Sequence, residues 1–248
     1  MSAVKPVRVS FGVLREHPSL VVFPLLQAGV LAVVGSGAAL PVLLRDGAPD
    51  TLSVGDAALL GAGYLLAGFL LTVCSAAMVC AVAAALRGEP VRVAGAFRQA
   101  AGQWRRLLAW SLLSATVLML LRQLNRVPVV GWLLEELFEA GWSVATYLAL
   151  PAMVIDGLGV VESTRRSARM LRTTFSRQVY GSVWIAVPVL LSALIGFVAF
   201  MLGVESNSLA PAVAAGVFAA LLLVAALLAA ATVSGIFRTV LYRDASVA

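Results

Sequence analysis

Along the chain, stretches without Asp, Glu, Lys or Arg alternate with short charged segments. The uncharged stretches are 17–44, 57–86, 107–121, 140–155, 178–204 and 206–237. About 20 helical residues cross a hydrocarbon core of about 30 Å, so the pattern predicts an all-α, polytopic chain with six transmembrane helices. The first opens at His17, Pro18 and Ser19, where proline suits the first turn of a helix. The second, fifth and sixth are long enough to cross with tilt. The stretches 107–121 and 140–155 are shorter. They fit either a crossing pair, with Arg105 and Arg106 snorkelling and Trp104 and Trp110 at an interface, or a re-entrant hairpin.

The charged segments ahead of the odd-numbered spans are amphipathic at helical spacing. Val7, Phe11 and Leu14 oppose Arg8 and Arg15; Val93, Phe97, Ala100 and Trp104 oppose Arg98, Gln99 and Gln103. In the third, an apolar stripe of Val161, Thr164, Ala168, Leu171 and Phe175 runs beside Arg165, Arg169 and Arg172. The expected architecture is three hairpins, each preceded by a cytoplasmic amphipathic helix, in one integral membrane domain over 1–248. An offset of 71 residues aligns Arg98 with Arg169, Trp104 with Phe175 and Arg106 with Arg177. A duplicated unit gives that match, and so does any Arg-rich loop lying in the headgroups. Between Arg122 and Glu139, apolar residues alternate with Glu135, Glu136 and Glu139, which reads as an interfacial helix or an outward extension of the fourth span, with a solvated acidic face.

Composition removes the soluble alternative. Hydrophobic residues make up 61% and charged residues 12% of 248, and the mean hydropathy is +0.99, whereas a soluble domain carries about a quarter charged residues. The net charge of +6 does not point to nucleic acid, because basic residues on a membrane protein first report topology. Segments 1–16, 87–106, 156–177 and 238–248 carry +10, and the remaining connections and span edges carry −4. The positive-inside rule therefore places both termini in the cytoplasm of a multi-pass inner (plasma) membrane protein. The first charged segment is too long and too amphipathic for a signal-peptide n-region, so the first span is expected to be retained.

Little catalytic vocabulary is present. Cys74 and Cys80 lie in one apolar run, pointing about 240° apart on a helix, so they read as small buried hydrophobes. An aspartyl dyad needs two carboxylates in one site, but Asp56 and Asp156 fall at opposite membrane faces. His17 is the single histidine, leaving no paired-His metal motif and no oriented base. The short Gly35, Ser36, Gly37 and Gly157, Leu158, Gly159 runs cradle no phosphate. No metal, cofactor or catalytic residue is expected, and the chain reads as a non-enzyme. Ion-coupled carriers keep an ionisable group at membrane depth, and none of the six runs has one. Gln27, an amide within a span, is expected to hydrogen-bond a neighbouring helix, while Ala212, Gly216 and Ala220, like Ala28, Ala32 and Ser36, offer flat packing faces.

Several local runs carry a likeness to known sequences. They are Trp142 to Tyr147, then Pro151, Asp156, Gly157 and Glu162, and Arg166, Ser167 and Ala168 with Leu171 to Thr174. Arg87 to Pro90, Trp104 to Arg106 with Trp110, and Phe237 to Arg243 add to it. On these residues the chain resembles an uncharacterised family of six-helix bacterial and archaeal integral membrane proteins. In plan it is similar to the membrane domain found beside some glycerophosphodiester phosphodiesterases. The resemblance implies architecture and membrane residence, and no activity.

The functional expectation is a non-enzymatic membrane module, lipid-associated or a subunit of a homo- or hetero-oligomeric complex. Arg165, Arg169 and Arg172 are the candidate ligands for anionic headgroups on the cytoplasmic side. Asp156 is expected to cap the following helix or to pair with an arginine, a structural role shared with Gln27. The alternative is a transporter or channel for an apolar or weakly polar solute, which needs no charge at membrane depth.

Overall fold

A computed structural model describes residues 4–43, 53–123, 136, 138–139, 141–143, 146–205 and 209–247. Among them every element is helical: α1 (Val4–Glu16), a 3-10 turn (Pro18–Val21), α2 (Val22–Leu43), α3 (Val54–Leu86), α4 (Val93–Ala101), α5 (Trp104–Gln123), α6 (Ala149–Asp156), α7 (Val160–Glu205) and α8 (Leu209–Val247). The chain divides into two compact units, Val22–Arg172 and Met1–Val21 with Thr173–Ala248.

In the Val22–Arg172 unit α3 is the central post, and α2, α4, α5 and α6 all pack on it. It is long because nothing in it interrupts a helix and because both ends are capped. At the start, the Asp56 backbone N–H donates to Ser53 Oγ (3.1 Å) and the Ser53 N–H donates back to Asp56 Oδ2 (3.2 Å), a reciprocal capping box. At the end, Gly88 takes φ +76°. The Gly88 N–H then reaches Ala85 O, and the Glu89 N–H reaches Ala84 O, both at 3.0 Å. This is a Schellman stop, with Pro90 beyond it to prevent resumption. Arg87 and Glu89 pair across the turn at 2.7 Å, and that guanidinium holds the Glu89 carboxyl below the usual carboxylate range.

Along its flanks, α3 holds its neighbours by small groups. A Cβ at Gly63 would lie 2.6 Å from the Ala38 Cβ of α2, so the glycine sets how near the two helices come. Gln27 Nε2 donates to Ser75 Oγ at 2.8 Å across the same pair of helices. On α4, Ala96 and Ala100 are buried, and the Phe97 ring stacks on Phe23 with centroids 5.6 Å apart.

The other unit is built from α1, the 3-10 turn, the later part of α7 and α8. Its core is one end of α8, from Thr232 to Tyr242, with Ser10, Val13 and Leu20 from the N-terminal segment. The helices α7 and α8 pair antiparallel through glycines of α7. Gly181 lies against the Phe237 ring, Gly196 against Ala219, and Gly203 against Pro211, Ala212 and Ala215. Elsewhere the pair is bare: the most apolar windows of Gln178–Glu205 and Ala210–Ser246 are 6% and 0% buried. A water-facing surface does not sustain apolar patches of that extent. The chain is a multi-pass membrane protein.

Three expectations change. Five helices among the described residues are long and apolar enough to cross a membrane, Pro18–Val42, Val54–Leu86, Trp104–Leu121, Gln178–Glu205 and Ala210–Ser246. Of the expected fourth span, residues 140, 144 and 145 lie outside the described residues, and the remainder is interrupted by a turn at Tyr147 and Leu148 before α6. With eight residues, α6 extends about 12 Å, too short to cross by itself. The third amphipathic segment is not a separate helix. No proline or glycine separates it from the fifth span, so α7 propagates from Val160 through both. Its inward face also differs: Ser163 and Ser167 are buried, whereas Val161 and Ala168, taken as part of the apolar stripe, are exposed. The side chains of Leu171, Arg172 and Phe175 lie outside the described ones, as do the connections at 44–52, most of 122–140 and 206–208.

Candidate functional site

One cluster of polar groups in the Val22–Arg172 unit lies around α6 and the start of α7. The interruption before α6 removes a backbone N–H from the helical ladder at Leu148, a residue with no exposure. An unsatisfied N–H there would cost about 1–3 kcal/mol. Ser167 Oγ accepts it at 3.0 Å, which explains why a hydroxyl residue faces inward on α7. Irregular backbone in a membrane protein is tolerated where protein covers it, and Leu148, Ala149, Leu150, Ala152 and Met153 are all buried.

The far end of α6 closes with Gly157 at φ +67°, a left-handed conformation that strains any residue with a Cβ. Space is short as well: a Cβ at 157 would stand 3.3 Å from the Arg106 guanidinium. Gln103 Nε2 donates to Val154 O at 3.3 Å, capping a terminal carbonyl, while its Oε1 is buried without a hydrogen-bond partner. Cationic and donor groups at this position oppose the negative end of the α6 dipole. On the other side of the turn, Asp156 Oδ2 lies 3.2 Å from Arg166 Nη2, the two side chains being 28% and 36% exposed.

Two tryptophans of α5 make further contacts. Trp110 stacks on Trp142 with centroids 6.4 Å apart and planes 14° from parallel. Arg105 lies over the Trp104 ring at 5.5 Å. Arg165 and Arg169, one helical turn apart on α7, are both exposed, and Arg166 between them is the partner of Asp156. Arg172 continues their row by helical spacing, its side chain lying outside the described ones. Gln27 is not part of this cluster; it joins α2 to α3 through Ser75.

Four contributors were not singled out as site residues from sequence: Ser167, Gln103, Arg106 and Gly157. Ser163 and Ser167, four apart on an otherwise charged segment, were the readable signal for the inward face. The tertiary approach of Gln103 and Arg106 to α6 had none. The arrangement ties a broken helix to its successor by an ion pair, a hydroxyl and an amide. Among the described residues no three of His, Cys, Asp and Glu gather to hold a metal ion.

Comparison with known proteins gives one positive result. The model of DUF6159, a family of unknown function, matches residues 54–248. No curated protein and no solved structure matches, so nothing connects the chain to the phosphodiesterase-associated membrane domain that its plan suggested.

Proposed function

The chain belongs to this family of unknown function, and because membership brings no activity with it, we propose a function from the geometry: a non-enzymatic membrane module whose basic cytoplasmic face holds anionic lipid headgroups. The observation that carries this reading is the distribution of arginines on the first turns of α7. Arg166 is engaged by Asp156, whereas Arg165 and Arg169 point outward from the same turns. Each basic side chain beside an anionic leaflet contributes about 1 kcal/mol, over a Debye length of about 8 Å. The +10 and −4 charge division supports placing this face, and both termini, in the cytoplasm.

Native mass spectrometry tests the reading directly. The wild type should retain more phosphatidylglycerol than a variant with Arg165, Arg169 and Arg172 changed to Gln, both inserted with the same topology. Equal retention refutes it and leaves the arginines as insertion signals. A cysteine at position 243 should be labelled only from the cytoplasmic side; labelling from outside overturns the orientation.

A further inference from the structure

The unit formed by Met1–Val21 and Thr173–Ala248 contains an apolar groove of about 270 Å³ between α1, α7 and α8. Its floor and walls come from Ile185 and Pro188 on α7, the alanine pairs Ala225, Ala226 and Ala229, Ala230 on α8, and Phe11 on α1. The space has a sequence cause: four alanines on adjacent turns of α8 leave room beside α7 that larger residues would fill. Ser192, the one hydroxyl in the lining, donates to Pro188 O at 2.8 Å, so it turns its hydrogen-bonding capacity back to its own helix. The groove offers a guest apolar contact only.

The N-terminal helix supplies charge at one end. Sequence placed Phe11 on the buried face of α1 with Val7 and Leu14; instead Ser10 and Val13 are buried against the unit and Phe11 is 48% exposed, lining the groove. The sequence pattern set Arg8 and Arg15 opposite Phe11, but at three residues before and four after it they neighbour it on the helix surface, and both are exposed. Such neighbours stand about 5–6 Å apart at Cβ, so the two arginines leave the helix on the turns either side of Phe11. Burial on α8 is concentrated from Thr232 to Tyr242 and α1 packs on that helix, which puts Phe11 at the Val233 end of the groove. From Val233 to Leu222 the groove follows α8 for about 16 Å at about 1.5 Å per residue. That is about half of a hydrocarbon core of about 30 Å, the depth of one leaflet.

We propose that this groove is a site for one anionic diacyl phospholipid, its phosphate between Arg8 and Arg15 and one acyl chain lying past Phe11 along Pro188 and the α8 alanines. The proposal rests on the lipid-associated reading above and concerns a different set of arginines. A zwitterionic lipid satisfies the walls but brings its own cation towards the guanidiniums, and a free phosphate satisfies the guanidiniums and not the walls; the combination favours a lipid with net negative charge.

The test uses the full chain in nanodiscs of phosphatidylcholine doped with phosphatidylglycerol that carries a diazirine on one acyl chain. Crosslinks mapped by mass spectrometry should concentrate on the groove residues of α7 and α8. Ala226→Trp, which fills the groove without changing charge, should abolish them, and Ser192→Leu, a smaller intrusion on the facing helix, should reduce them. Arg8→Gln with Arg15→Gln should weaken occupancy about thirty-fold, about five-fold for each charge beside an anionic headgroup. Inorganic phosphate at millimolar concentration should not compete. Crosslinking spread evenly over the exposed faces of α7 and α8, or unchanged in both groove-filling variants with their melting preserved, overturns the proposal. So does an equal yield with diazirine phosphatidylcholine, or displacement by free phosphate. Arg165→Gln with Arg169→Gln should leave groove crosslinking intact, so failure at one basic surface is distinguishable from failure at the other.

Discussion

Replacing Gly203 by Ala should loosen the α7–α8 pair, although alanine is the better helix former. A Cβ at 203 would meet Ala215 Cβ at 2.7 Å, Pro211 O at 2.9 Å and Ala212 Cα at 3.2 Å. Two of these three atoms are backbone and cannot rotate away. Relieving the contacts requires the helices to part by about half an ångström, a gap that forfeits about a quarter of each affected dispersion contact. Overpacking of this kind costs about 1–3 kcal/mol, against which removing a helical glycine returns about 0.5–1 kcal/mol. The net expectation is a loss of up to about 2.5 kcal/mol. Gly216→Ala on the facing helix is the control. Its Cβ would touch the Phe200 ring at an ordinary 3.7 Å, so only the propensity gain of about 0.5–1 kcal/mol remains. Reversible unfolding in mixed micelles, titrated with a denaturing detergent, reads the difference. If Gly203→Ala proves as stable as Gly216→Ala, close approach at Gly203 does not determine the spacing of the pair.

Other perturbations address the α6–α7 junction and the helix caps. Ser167→Ala should cost about 1–3 kcal/mol in the same unfolding assay by stranding the buried Leu148 N–H, whereas Ser167→Thr, which keeps the hydroxyl, should recover part of it. Asp156→Asn should cost only about 0.5–1 kcal/mol, since the pair with Arg166 is partly solvated, and the cost should shrink in high salt; a larger, salt-independent loss would show a buried role instead. Gly88→Ala should destabilise by about 1–2 kcal/mol through the left-handed backbone at the end of α3. The Glu89 carboxyl is depressed on folding, so its contribution is present above the unfolded carboxylate range and is lost as pH falls through the lower folded value. Carboxyl chemical shifts of labelled Glu89 against pH should show a midpoint below that of an exposed glutamate, and the depression should vanish in Arg87→Gln.

Membrane residence, helicity and the approximate limits of four spans follow from local sequence, because runs without charge and about 20 or more residues long have few alternatives to helix in hydrocarbon. The ends of α3 were also written locally: Ser53 with Asp56, and Gly88 with Pro90, interact within a few residues of themselves. Gln27 could be expected to seek a partner from its type alone, but the identity of Ser75, 48 residues away, depends on how α2 crosses α3. The fourth uncharged run shows the limit most clearly. Its composition reads as a span, yet the chain turns at Tyr147 and Leu148, and the N–H released there is satisfied by Ser167 on a later helix. Packing decided the small-residue faces too: Gly216 looked like the close-contact glycine and Gly203 is one, since spacing along a single helix cannot say which side meets a neighbour. Arg166 and Arg165 are adjacent and chemically identical, and only the approach of Asp156 separates an engaged arginine from an outward-facing one. Local sequence determined what each segment is, through hydrophobicity and capping. The tertiary structure determined which polar groups are spent on holding it together and which are left exposed, because those partnerships join residues distant in the chain.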